Sequence, residues 1–338
     1  MEENEIITEN TAIDYENVLK NTNLRLIYEN RRKKLYDYMA QNGISAAVFE
    51  DSEEKREPAL RYLTGHPSDA VLILDSENKR ATLIPWDENL ASEKANADEI
   101  IPYTEYNREN TVAVCETLKK INLTKNCVVS LSPSTSYLQF KKYESLFSDS
   151  INNWKIECSE DSIYNAVENF RAQKDEYEIA CTRKACAITS NMTEQIISLL
   201  QSGKIKTETD VALFIERELR AKGCEKTSFD TLAAGPTRSF AIHAFPGYTA
   251  ATWGTDGLSI LDYGVCFEGY ASDCTITIAR GNLSKEQNET IQSYKKPKNK
   301  KKKKKLKIKL DSSFKTNQTN YKYKTFFASN PLFLFRQD

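Results

Sequence analysis

Histidine is nearly absent from this sequence: only His66 and His243 occur among 338 residues, so each has to be weighed singly. Cysteine occurs eight times but never as a CxxC pair. Cys115, Cys127, Cys158, Cys181, Cys186, Cys224, Cys266 and Cys274 are scattered over core-like positions. A reduced, cytoplasmic protein uses thiols in this way, as small hydrophobes, and no cysteine-based zinc site is expected. Long apolar runs are missing too: none approaches the roughly 18 residues of a membrane span. The first residues, Met1-Glu2-Glu3-Asn4-Glu5, are acidic with no apolar stretch behind them, so no signal peptide is expected.

What is present suggests two domains, each large enough to bury its own core. The net charge of −1 hides an asymmetry. Residues 295–338 carry 14 Lys and 1 Arg against 2 Asp, a net of +13, which leaves −14 on residues 1–294. An acidic body and a basic tail are read separately.

The body falls into two patterns. Leu24, Tyr28, Leu35 and Met39 recur at helical spacing before Gly43. Strand-length apolar runs follow at Ala46–Phe49, Ala70–Leu74 and Thr82–Ile84, then a helix over about 107–120 and a strand over Cys127–Leu131. Such alternation gives a sheet covered by helices, an α/β domain over residues 24–160 behind an N-terminal extension, 1–23. A second unit, 161–290, is α+β. Asp175-Glu176-Tyr177-Glu178 reads as a capping box opening a helix that ends before Gly203. Thr207-Glu208-Thr209-Asp210 opens another, closed by Gly223. Strands are expected at Ser228–Leu232, Leu258–Tyr263 and Cys274–Ile278.

Past Arg280-Gly281 the character of the chain breaks. Nine lysines lie between Lys295 and Lys305, and 30 of the last 44 residues are Lys, Asn, Ile, Leu, Phe or Tyr, with no Gly or Val. These are the residues of A/T-rich codons. Residues 291–338 therefore read as a disordered tail of the kind left by a frameshift or a missed intron.

The most informative segment runs from Leu261 to Asp273. If its strands turn at Phe267-Glu268, Asp262 lies opposite Asp273 on one face of the sheet, with Cβ atoms about 4.5–5.5 Å apart. At about 5 Å and an effective dielectric of about 20, two such carboxylates repel by about 3 kcal/mol. They are kept together by a shared proton or by a cation, and hard oxygen ligands suit Mn, Mg, Co or Zn pairs. Spacing alone leaves solvated hairpin charges as an equal reading. Upstream, Gly235-Pro236 leads to His243 through apolar residues, where a lone histidine is ordinarily a core group. His66, in Thr64-Gly65-His66-Pro67, reads as a turn histidine.

Taken together, these segments resemble the pita-bread metallopeptidases, above all the Xaa-Pro aminopeptidases, with prolidase and creatinase as relatives. The resemblance covers about residues 24–290. It rests on Asp262-Tyr263-Gly264 with Gly269-Tyr270-Ala271-Ser272-Asp273-Cys274-Thr275, on Gly235-Pro236 to His243, and on Phe170-Arg171-Ala172-Gln173-Lys174-Asp175-Glu176-Tyr177-Glu178. Arg61-Tyr62-Leu63-Thr64-Gly65 adds a creatinase-type N-terminal motif. It implies a fold of a creatinase-like α/β domain followed by an incomplete α+β pita-bread domain. It also implies two divalent metal ions, Mn first and Zn or Co as alternatives, with Asp262 and Asp273 as ligands and His243 in the substrate site. Implied partners are peptides with proline second, no membrane, and a homodimer for the full-length family.

The sequence departs from that pattern in one respect. The family's site also needs a His and two Glu from a second half of the fold. No His follows Asp273, and Glu286, Glu289, Asp311 and Asp338 lie in no matching motif. The expectation is a truncated or frameshifted chain in which metal binding is doubtful and catalysis is lost. The alternative is a non-catalytic pita-bread module whose Lys295–Lys309 run attracts nucleic acid without specificity.

Overall fold

The computed structural model describes residues 14–53, 55–123, 126–148 and 153–295. The chain divides into two compact units: Thr22–Gln173, and the described parts of Met1–Asn21 and Lys174–Asp338. The first helix, α1 (Tyr15–Asn21), belongs to the second unit, where Glu16 pairs with Lys184.

In the Thr22–Gln173 unit, α2 (Leu24–Gln41) starts where the Asn23 side chain accepts from the Leu26 N–H at 3.3 Å. It is followed by Gly43 at φ +68°, a backbone conformation open to glycine at little cost. Strands β1 (Ala46–Asp51), β2 (Ala70–Asp75), β3 (Arg80–Pro85), β4 (Glu99–Ile100), β5 (Val128–Ser130) and β6 (Lys155–Glu157) make one sheet in the order β4-β3-β2-β1-β5-β6. The helices are α3 (Pro58–Thr64), α4 (Glu88–Lys94), α5 (Asn110–Lys120), α6 (Tyr137–Ser148) and α7 (Ile163–Ala172). Alternate residues of the same strands feed two cores. Ala47, Phe49, Leu72 and Leu74 meet Leu35, Met39, Leu60 and Val167 on one side. Ala46, Val48, Val71 and Ile73 meet Val114, Leu118, Tyr143 and Phe147 on the other. A sheet buried on both faces is why these strands read as unbroken apolar runs. Arg31 and Arg32, both buried, donate to the Tyr62 and Leu63 carbonyls at 3.0 and 2.8 Å. They thereby satisfy acceptors that the end of α3 leaves open.

In the second unit, both expected capping boxes form, Asp175 with Glu178 on α8 (Glu176–Gln201) and Thr207 with Asp210 on α9 (Glu208–Ala221). Two three-stranded sheets follow, ordered β11-β10-β7 and β12-β9-β8. Their strands are β7 (Lys226–Thr227), β8 (Leu232–Ala234), β9 (Gly257–Tyr263), β10 (Val265–Phe267), β11 (Tyr270–Ala271) and β12 (Cys274–Arg280). Leu261, Tyr263, Ile276 and Ile278 share a core with Met192 and Ile196 of α8 and Ile215 and Leu219 of α9. Each such side chain stabilises the fold by roughly 1.5–3 kcal/mol. Polar links pin α8 to the strands. The Tyr263 hydroxyl donates to the Thr189 carbonyl at 2.9 Å, and Ser272 Oγ lies 2.7 Å from Thr189 Oγ1.

Three sequence expectations are corrected. The strand expected at Ser228–Leu232 is interrupted: only Lys226–Thr227 and Leu232–Ala234 pair, because the Ser228 side chain turns aside to donate to the Ser272 carbonyl at 2.6 Å. The tail expected from residue 291 begins later, since α10 (Lys285–Lys295) runs through that boundary. Ser284 and Gln287 close a capping box, Gln287 N–H to Ser284 Oγ at 3.1 Å and Ser284 N–H to Gln287 Oε1 at 2.9 Å, and Ile291 is buried. The tail expected to be disordered lies, beyond Lys295, outside the described residues. The third correction concerns the hairpin and bears on the site.

Candidate functional site

The hairpin turns one residue later than the spacing suggests. Phe267 pairs with Tyr270 across Glu268-Gly269, which stand at φ +49° and +80°. Two positive φ values in a two-residue loop are the geometry that matches strand twist, and glycine takes the second position without strain. The register therefore sets Asp262 opposite Thr275, not opposite Asp273. Thr275 Oγ1 donates to Asp262 Oδ1 at 2.7 Å, so the residue facing Asp262 is a hydrogen-bond donor and not a second acid.

Asp262 and Asp273 nevertheless share a face. Side chains alternate along β9, with Leu261 and Tyr263 in the core and Asp262 half-buried on the other side. Ser272 and Cys274 turn towards the helices, which leaves Asp273 between them on the outer face, exposed. The relation is diagonal, at a Cβ spacing of roughly 7–8 Å instead of about 5 Å. The wider spacing and the water at Asp273 weaken the repulsion between the two carboxylates.

His243 is carried by a long loop between β8 and β9. Ala241 and Ala244, on either side of it, pack with Leu232, Ala234 and Ile260 on the sheet face that also bears Asp262. Further anchors are Ser239 Oγ to the Leu258 carbonyl at 2.6 Å and the Ala233 N–H to the Gly247 carbonyl at 2.8 Å. His243 itself is exposed, as are Phe240 at 86%, Ile242 at 77% and Phe245 at 96%. His66 is a buried residue of the other unit and takes no part. Behind the face, burial pushes the Cys274 thiol up, and the negative charges of Asp262 and Asp273 push it further. Cys186 is raised to about 11 by burial and by Cys274. These thiols stay protonated at neutral pH, as structural groups do.

Among the described residues, no group of three or more His, Cys, Asp or Glu converges on a point that could hold a metal ion. Two carboxylates on one face, one of them already accepting from Thr275, do not fill the coordination of two divalent ions. By themselves these residues do not fit a metal pair.

Comparison with known proteins gives the architecture a family. Residues 31–155 match the creatinase/prolidase N-terminal domain, and residues 180–298 match metallopeptidase family M24. The chain thus carries an M24-type metallopeptidase domain behind a creatinase/prolidase-type N-terminal domain. An Xaa-Pro dipeptidase of Pyrococcus horikoshii is 24% identical over 311 residues, covering 89% of this chain and 80% of that protein. A probable Xaa-Pro aminopeptidase of Colletotrichum graminicola is 27% identical over 267 residues, and the match spans 53% of its length. In fold, the chain resembles the Xaa-Pro dipeptidase from Bacillus anthracis, with a TM-score of 0.61 at 22% identity, covering 78% of this chain and 68% of that one. The chain combines a creatinase-type N-terminal domain with a pita-bread domain. No helix among its described residues is long and apolar enough to cross a membrane.

Two groups of this candidate site escape a reading of the sequence. Thr275 stands opposite Asp262 only in the observed register. Glu208 reads as a helix-start acid, yet its carboxylate is fully buried beneath the His243 loop. The signal for Thr275 was the Glu-Gly turn; for Glu208 there was none beyond the capping pattern it belongs to.

Proposed function

We propose that this chain is an Xaa-Pro peptidase by descent, with Asp262 and Asp273 as metal-ligand positions and His243 as a substrate-site residue, and that the 338-residue polypeptide does not itself hydrolyse peptides. The observation that carries this reading is one sheet face: two aspartates stand on it, and the loop bearing a histidine packs against it. Relatives named as Xaa-Pro dipeptidase and Xaa-Pro aminopeptidase support the substrate class. A proline in second position has no N–H to offer, so such substrates need a dedicated pocket. The metals expected are a pair of divalent ions, Mn first, then Zn or Co, and the full-length assembly expected is a homodimer in the cytoplasm.

The inactivity follows from donor count. A two-metal site draws on more ligands than two carboxylates supply. No histidine follows Asp273 in the sequence. The reading is tested by incubating the chain with Mn(II) and a peptide carrying proline second, and following release of the first residue. No release above the metal-only background is expected. Release that Asp262→Asn abolishes would overturn the proposed inactivity. Salt-sensitive nucleic-acid binding lost on removal of residues 295–309 would favour a non-catalytic role instead.

A further inference from the structure

We infer that Glu208 is the positioning residue for His243: its buried carboxylate clamps both ends of the loop that carries the histidine. The inference rests on the reading of His243 given above. Glu208 is the first residue of α9 and is 0% exposed. Its Oε1 accepts from the Gly235 N–H at 2.8 Å, where the loop leaves β8. Its Oε2 accepts from the Thr249 N–H at 2.9 Å and the Thr249 hydroxyl at 2.8 Å, where the loop returns. The Arg238 guanidinium also donates to Oε2 and, with its other arm, to the Pro246 carbonyl.

All four partners of Glu208 are donors. The Thr249 oxygen accepts from the Ala251 N–H at 3.1 Å, so its proton is free to point at Glu208. Only an acceptor-only side chain satisfies such a set. Glutamine has nearly the same shape, but its amide would turn N–H groups towards other N–H groups at a fully buried position. Residues 235 and 249 are thus tied to one rigid helix start, and the tip between them, with Phe240, Ile242, His243 and Phe245 exposed, is held by its two feet. The negative charge matters as well, since it fixes Arg238, whose second contact braces the returning strand of the loop.

The chain's two histidines make the test simple, because the imidazole Hε1 region of the proton spectrum holds one signal from each unit. Glu208→Gln is expected to shift and broaden the His243 signal and to leave the His66 signal in place. Amide exchange at Gly235 and Thr249 is expected to rise about tenfold. Thr249→Val, which keeps the N–H and removes the hydroxyl, is expected to do the same to a smaller degree, about threefold, and serves if the glutamine variant does not fold. A loss confined to general stability would move both histidine signals or neither. An unchanged His243 signal and unchanged exchange at residues 235 and 249, in whichever variant folds, would overturn the clamp. Because the readout is the loop itself, a failure of the peptidase reading, seen as salt-sensitive nucleic-acid binding that is lost on removal of residues 295–309, leaves this result standing on its own.

Discussion

Of the described glycines whose surroundings are known, Gly264, between β9 and β10, leaves least room for a side chain, and it permits a sharp test of the hairpin. A methyl group placed there would lie 1.9 Å from the Ser272 carbonyl oxygen and 2.2 Å from Ser228 Oγ. Neither neighbour is a free side-chain end: the Ser228 hydroxyl donates to that same carbonyl at 2.6 Å, and the Ser228 N–H donates to the Gly264 carbonyl at 3.1 Å. Gly264→Ala must therefore push the Ser272 peptide away by about 1 Å or more, from 1.9 Å to an ordinary contact. Overpacking of this kind costs about 1–3 kcal/mol, and loss of the Ser228–Ser272 bond about 1 kcal/mol more, so the expected loss is about 2–4 kcal/mol. In a unit of this size that lowers the melting temperature by roughly 5–15 °C. Because Asp273 follows Ser272 directly, the same displacement moves one of the two carboxylates off its place. Gly203→Ala is the control: Gly203 stands at φ +67° with nothing within 4 Å of the added methyl, so only backbone strain, about 1 kcal/mol, applies. Urea unfolding followed by tryptophan fluorescence measures both, Trp253 being the buried tryptophan of this unit. Equal losses in the two variants would refute the packing argument and the register that places Gly264 against Ser272.

The remaining predictions concern polar groups in the two cores. Ser272→Ala leaves the Val265 N–H and Thr189 Oγ1 without their partner at 2.9 and 2.7 Å and is expected to cost about 2 kcal/mol by the same unfolding assay; a loss under 0.5 kcal/mol contradicts it. His66 is buried, and burial lowers its pKa from 6.5 against the weaker opposing pull of a Ser68 backbone hydrogen bond, Asp87 and Asp69. Below about pH 6.5 the unfolded chain then binds a proton that the folded chain does not, so the Thr22–Gln173 unit loses stability as pH falls through that value towards the folded pKa. Urea midpoints at pH 7 and pH 5 should differ in the wild type and converge in His66→Leu; an unchanged pH dependence in that variant would exclude His66 as the source.

The legible part of this molecule is the part whose signals are local. The caps at Asp175 and Thr207, the glycine stops at Gly203 and Gly223, and the apolar runs of β1, β2 and β3 form where the sequence places them, because each depends on a few neighbouring residues. The hairpin register is less local. A turn centred on Phe267-Glu268 and one centred on Glu268-Gly269 differ by a single residue, and the second prevails because glycine accepts the positive φ that its second position requires. That one step replaces an acid by Thr275 opposite Asp262. The Ser284/Gln287 capping box was readable, but it lies where the composition turns towards the lysine-rich tail. The Glu208 clamp depends on partners 27 to 41 residues away and has no signature in the chain itself.

Asp262 and Asp273 share one sheet face without enclosing a metal pair. Paramagnetic broadening on titration with Mn(II) tests this directly, since the ion bleaches amide signals close to wherever it visits. The prediction is weak, fast-exchanging binding that broadens Thr275 and Gly264, the cross-strand neighbours of Asp262 and Asp273, and that disappears in Asp262→Asn/Asp273→Asn. Tight uptake of two ions per chain, or broadening that ignores the loss of both aspartates, would contradict it.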